Sequence, residues 1–172
     1  LNDGCYQPIV DQIQESATNY CVDANEILDV GCGEGYYLAG LQQQMAKETA
    51  NYYGTDISKE ARKLAARQYP GCKWFVAAAK QQPFFEQKID LILNIFAPAD
   101  WDEISRLLKP GGYVLLAVAG SNHLRGLREL IYDQVKAHHP ERFLDKIGAE
   151  LELIEQFDCQ FELQLDDNDA IR

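Results

Sequence analysis

Apolar residues along this chain follow two alternating rhythms. After Tyr6-Gln7-Pro8, where proline suits a first helical turn, Ile9, Ile13, Ala17 and Tyr20 return at helical spacing, so a leading helix is expected within 1–22. Ile27-Leu28-Asp29-Val30 then reads as a short buried strand, 31–35 as a turn and 36–47 as a helix. A second unit repeats the order: a strand over 51–55, an acidic turn at Asp56, and a helix capped by Ser58 with Glu60 close behind. Strands are expected over 73–77 and 89–93, a helix over 101–108, a stop at Lys109-Pro110-Gly111-Gly112 and a strand over 113–118. Leu124, Leu127, Leu130, Ile131 and Val135 mark one more amphipathic helix, and near-alternating polarity over 151–165 predicts a last strand. Strands separated by helices favour a doubly wound, mostly parallel α/β sheet, because parallel strands need long crossovers and helices supply them.

Length and composition narrow this picture. With 172 residues and 47% apolar content, the chain is read as one domain over 1–172, its core units lying in 26–138 and its terminal strand region in 150–166. No run approaches the roughly 18–20 apolar residues of a bilayer span, and no signal-peptide order opens the chain, so a soluble cytoplasmic protein without membrane partners is expected. Five cysteines are scattered with no metal-ligand spacing; they predict reduced thiols and no metal site. The net charge of -11 repels a polyanion at long range. Lys59, Arg62, Lys63 and Arg67 share one expected helix, where a solvated face is the simpler reading, and His138 and His139 are read as surface residues.

Candidate chemistry begins at Asp29-Val30-Gly31-Cys32-Gly33-Glu34-Gly35. Alternating glycines stand where a buried strand turns into a helix against a ligand, and a side chain at Gly31 or Gly33 is expected to enter ligand space. The dinucleotide pattern would need glycine where Tyr36 stands, and no Gly-Lys-Ser/Thr follows for a phosphate-binding loop of the Walker kind. One strand later, Asp56 is placed to accept both hydrogens of a ribose diol.

The order of 27–35 with Tyr53-Gly54-Thr55-Asp56 and, later, Leu108-Lys109-Pro110-Gly111-Gly112 resembles class I S-adenosylmethionine-dependent methyltransferases. The resemblance implies a Rossmann-like sheet, S-adenosylmethionine as cofactor, Asp29 near the methionine amino group, Gly31, Gly33, Glu34 and Gly35 around methionine and ribose, and Asp56 on the ribose hydroxyls. Many members carry an acid after the third strand to hold the adenine amino group. Here Val76-Ala77-Ala78-Ala79 has none, which leaves adenine to apolar contact with Ile57 and to backbone N–H groups.

A narrower resemblance, over nearly the whole chain, rests on Gly4-x-Tyr6-Gln7-Pro8, 33–37, Ile95-Phe96-Ala97-Pro98, His123-Leu124 and Leu130-Ile131-Tyr132. These are similar to the bacterial 23S rRNA guanine-N1 methyltransferases, which implies methyl transfer to N1 of a guanine in a hairpin loop, with Tyr6, Asn94 and His123 among the cofactor contacts. That family carries an N-terminal zinc module and a longer C-terminal part, neither matched here, so the chain alone is expected to bind cofactor but methylate RNA poorly. Phe96 and Trp101 either stack on a flipped base or fill core, and His123 either serves the site or caps a helix. Asp102 is expected to cap the helix that continues at Glu103, and no general base is identified. A small-molecule methyltransferase, favoured by the acidic charge, and an inactive cofactor-binding module are the competing readings; oligomeric state, including a homodimer, stays open.

Overall fold

A computed structural model describes residues 6–131, 143 and 147–160. Its elements are α1 (Gln7–Tyr20), β1 (Glu26–Val30), α2 (Tyr36–Met45), β2 (Asn51–Asp56), α3 (Lys59–Gln68), β3 (Lys73–Val76), β4 (Ile89–Ile95), α4 (Trp101–Leu107), β5 (Leu108–Ala117) and α5 (Arg125–Ile131). The five strands form one parallel sheet in the order β3-β2-β1-β4-β5, the doubly wound architecture expected from the alternation of strands and helices. The chain winds outward from β1 to β3, then returns to β4 on the other side of β1. The strand order therefore reverses between β1 and β4, where open α/β sheets form a crevice at the carboxyl ends of their strands.

Both faces of the central strands are covered, which explains why β1 and β4 read as continuous apolar runs rather than alternating ones. Ile27, Leu91 and Leu93 face a cluster with Leu38, Leu41, Tyr52 and Trp74 that takes in Ile9, Ile13 and Ala17 of α1. Leu28, Val30, Ile89 and Ile92 face Ile104, Leu107 and Leu108 on the other side. Helix α1 fits closely on α2 because Gly40 has no side chain: Val10 lies against it and Gln14 Nε2 donates to its carbonyl at 3.0 Å. Ser58 caps α3 as expected, its hydroxyl accepting from Ala61 N at 3.2 Å.

Three expectations change. Lys109-Pro110-Gly111-Gly112 does not precede the last sheet strand but interrupts it: β5 starts at Leu108, and it advances from Leu108 to Tyr113 while β4 advances only from Ile89 to Leu91. The extra residues bulge out, with Gly111 at φ 77°, which glycine adopts without Cβ strain. Helix α2 stops at Met45 rather than reaching Lys47, where Ala46 enters the left-handed region. The expected strand over 151–165 is not formed in its described part: 151–160 carries no regular structure, is exposed beyond Leu151, and pairs with no strand. Alternating polarity without a ladder partner does not make a strand. Residues 161–165 lie outside the described residues, as does Val135 of the expected last helix.

Trp74 is the sheet's tightest fit. Its indole lies where a Cβ on either Gly35 or Gly54 would be, and its Nε1 donates to Tyr69 O at 2.9 Å. Gly54→Ala should therefore lower unfolding free energy by about 1–3 kcal/mol, as overpacking of a filled core does. In chemical denaturation the loss should shrink when Trp74→Leu is added; purely additive effects would show that the ring does not set the requirement for glycine at 54.

Candidate functional site

The turn between β1 and α2 holds Gly31, Gly33 and Gly35 at φ 77°, 53° and 85°, a region that side chains disfavour. Gly31 N and Cys32 N both donate to Thr55 O, at 2.8 and 3.0 Å, and bind the turn to the end of β2. The three glycines are needed for different reasons. A Cβ at Gly33 would meet nothing within 4 Å, so this position faces open space, as expected of a ligand-side position. A Cβ at Gly31 would instead strike the side chain of Ala97, which corrects the expectation that it would enter ligand space. At Gly35 the obstacle is Trp74.

Three polar side chains converge on this turn. Asp29, at the end of β1, is 1% exposed, and neither carboxylate oxygen has a hydrogen-bond partner among the described residues. Burial, with a smaller contribution from the charge of Asp56, pushes its carboxyl up to about 7. Asp56, at the end of β2, accepts from Gly33 N through Oδ2 at 2.9 Å and from Ser58 N through Oδ1 at 2.7 Å. Its two oxygens therefore fix the turn and the start of α3 while keeping further lone pairs for a diol. Asn94, buried in β4, donates through Nδ2 to Val30 O and Pro98 O, both at 3.3 Å, and its Oδ1 is buried with no partner among the described residues. It thus ties the end of β1 to the loop beyond β4. Glu34 is exposed on the turn, and Ile57, beside Asp56, is 76% exposed.

An aromatic group forms on the β4 and β5 side. Phe96 adopts φ 54°, strained for a residue with a Cβ, and is held there as its N–H donates to Ala117 O at 2.9 Å. Its ring stacks on His123 with centroids 5.6 Å apart and planes at 29°, and Tyr6 meets it edge-on at 6.5 Å. Three residues from the N-terminus, the loop after β4 and the loop after β5 are thus brought together, which their spacing in the chain does not reveal. Trp101 takes the other course: it opens α4 half-buried against the Leu28 and Ile104 cluster.

The α4 cap is also corrected. Asp100, not Asp102, caps the helix, its Oδ1 accepting from Glu103 N at 3.0 Å, because Trp101 is already helical. Two further participants had weak or no sequence signal. Trp74 was foreshadowed only by a glycine inside a strand, at Gly54, which signals close approach. Gln82, in the loop after β3, is 6% exposed and had none.

The raised pKa of Asp29 has a measurable consequence. Between the ordinary value of 3.8 and about 7, the folded protein keeps a proton that the unfolded chain releases. Stability should therefore fall as pH rises through that window and stay lower above it. Asp29→Asn should remove this slope and, at pH 8, exceed the parent by up to about 4 kcal/mol, at 1.36 kcal/mol per unit. Denaturation curves across pH 4–8 check it; parallel curves for both proteins would show that burial does not hold the proton on Asp29.

Comparison with known proteins agrees with this architecture. A family model described as a methyltransferase domain matches residues 27–112, from β1 into the β5 bulge. A Bacillus subtilis protein named for 23S rRNA guanine-N1 methylation is 35% identical over 132 residues, 75% of this chain and 47% of the relative. The Streptomyces fradiae 23S rRNA (guanine(748)-N(1))-methyltransferase is 29% identical over 175 residues, 99% of this chain and 61% of its own length. The chain thus spans about half to three fifths of these relatives. The crystal structure of an S-adenosylmethionine-dependent methyltransferase from Aquifex aeolicus superimposes with a TM-score of 0.59 at 18% identity, covering 81% of this chain and 75% of that one. With a family model over half its length, a parallel 3-2-1-4-5 sheet and a glycine turn at the end of β1, the chain belongs to the class I methyltransferases that use S-adenosylmethionine.

Proposed function

We propose that this chain is the catalytic part of an enzyme that methylates N1 of a guanine in 23S rRNA. The observation that carries the reading is the stacked Phe96 and His123 pair, with Tyr6 at its edge, on the β4 and β5 side of the glycine turn. An exposed ring beside a cofactor site suits a base lifted out of a hairpin loop, and the Bacillus subtilis and Streptomyces fradiae relatives are named for this substrate.

The residues fit the cofactor. Asp29 carries two buried acceptors without partners among the described residues, which suit the ammonium of a methionine moiety, and the cation would hold the carboxylate in its charged form. Asp56 would take the ribose diol, Gly33 leaves room at the turn, Glu34 and Gly35 flank it, Asn94 contributes a buried acceptor, and Ile57 offers an apolar surface to the adenine. When bound, S-adenosylmethionine supplies an electrophilic methyl group on a sulfonium. The protein's task is alignment: Phe96 would hold the guanine plane while the β1 turn fixes the donor side, and water is kept out. The N1 proton must leave, to a base or to solvent, as the N–C bond forms and the S–C bond of the donor breaks.

A small-molecule acceptor is the second reading, favoured by the charge of -11, which opposes an RNA backbone. On the first reading the enzyme works in the cytoplasm on ribosomal RNA.

One measurement tests the cofactor site that both readings share, and a second separates the readings. Asp56→Ala should weaken calorimetric binding of S-adenosylhomocysteine by about 1.5–3 kcal/mol, the range for hydrogen bonds to a charged group, and unchanged affinity would remove Asp56 from the site. At low ionic strength the chain should place a methyl group on N1 of guanine in a 23S rRNA hairpin, read as a stop in reverse transcription. Phe96→Ala should cut that rate about 5- to 100-fold, as loss of base stacking does, with cofactor affinity nearly unchanged. Methyl transfer to a small-molecule acceptor with none to the hairpin, by a chain that binds S-adenosylhomocysteine, would favour the small-molecule reading.

A further inference from the structure

We infer that Gln82 recognises the 6-amino group of the cofactor's adenine. The inference rests on the cofactor site described above and adds a specificity-determining residue to it.

The loop beyond β3 forms a groove lined by Val76, Ala77, Ala78, Gln81, Gln82 and Pro83. The groove begins one strand from the ribose acid: Val76 is in register with Asp56, and Ala77 N donates to Asp56 O at 3.1 Å. A nucleoside whose diol sits on Asp56 would direct its base toward this end of the sheet. The groove offers no acidic side chain, since Ala77, Ala78 and Ala79 stand there. It does offer one polar side chain that is 94% buried, Gln82, at 6% exposure.

That amide has only one possible orientation. Its Nε2 donates to Ala78 O at 2.9 Å, so the oxygen points the other way, and Oε1 is buried with no partner among the described residues. The residue is also clamped from behind. Its backbone N–H donates to Glu103 Oε1 at 2.7 Å, and its carbonyl accepts from Arg106, whose guanidinium pairs with Glu103 at 2.7 Å. Left unpaired, this held acceptor carries the cost of burial, which an N–H entering from the groove would relieve as the lining adjusts around it. An exocyclic amine is the group of adenine that supplies such a donor; a carbonyl at the same place would face the amide oxygen and be repelled.

The test titrates the chain calorimetrically with S-adenosylhomocysteine and with S-inosylhomocysteine, which carries a carbonyl in place of the amine. The unaltered chain should prefer the adenosyl compound by about tenfold or more. Gln82→Leu should bring the two affinities within about twofold, chiefly by weakening the adenosyl compound, and Gln82→Glu, which keeps an acceptor, should retain the preference. Equal weakening of both ligands by Gln82→Leu would show that the residue only braces the loop and would overturn the inference, as would an unchanged preference. Failure of the unaltered chain to bind either compound would remove the cofactor site itself, and this inference with it.

Discussion

The structure depends on how closely three backbone segments pass one another at the carboxyl ends of β1, β2 and β4. Trp74 fills the space beneath Gly35 and Gly54, Ala97 closes against Gly31, and Thr55 O receives two N–H groups of the turn. This packing lets the turn of β1 stay near the sheet while Gly33 faces outward. A helix start that is open toward solvent on one side and wedged by an indole on the other is stiff without being covered. A site that gains rate by alignment needs such stiffness.

Two acids stand side by side in this turn with opposite surroundings. Asp56 is satisfied by backbone N–H donors, whereas Asp29 is enclosed with none among the described residues. On the proposed reading the contrast divides their work: one carboxylate organises the loop and would keep lone pairs for a neutral diol, and the other would take a cation. Binding of a positively charged methionine moiety would thus relieve the same desolvation that raises Asp29 in the free protein.

The site's two halves are mechanically joined on the β4 side. Asn94 links the end of β1 to Pro98, Asp100 caps α4, and Glu103 with Arg106 of that helix holds the loop after β3 through Gln82 and Phe84. One short helix therefore connects the segment carrying Phe96 to the groove beside Asp56. The Arg106–Glu103 pair is largely covered, at 31% and 11% side-chain exposure, so it is less screened than a surface pair.

The sequence determined the order and type of the elements from α1 to β5, because buried parallel strands and amphipathic helices leave periodic patterns that survive any packing. It also determined the glycine turn and the position of Asp56, since a turn with φ above zero needs glycine wherever it occurs. Tertiary structure alone decided the rest. Alternation over 151–165 promised a strand, yet 151–160 joins no ladder among the described residues, and Asp100 displaced Asp102 as the cap because helix boundaries depend on a single residue's backbone. Which glycine faces a ligand and which faces Ala97 or Trp74 is a matter of neighbours far along the chain. The same holds for Tyr6, Phe96 and His123, and for Gln82: a side chain's partners are set by which loops the sheet brings to its carboxyl edge, and no local pattern records that.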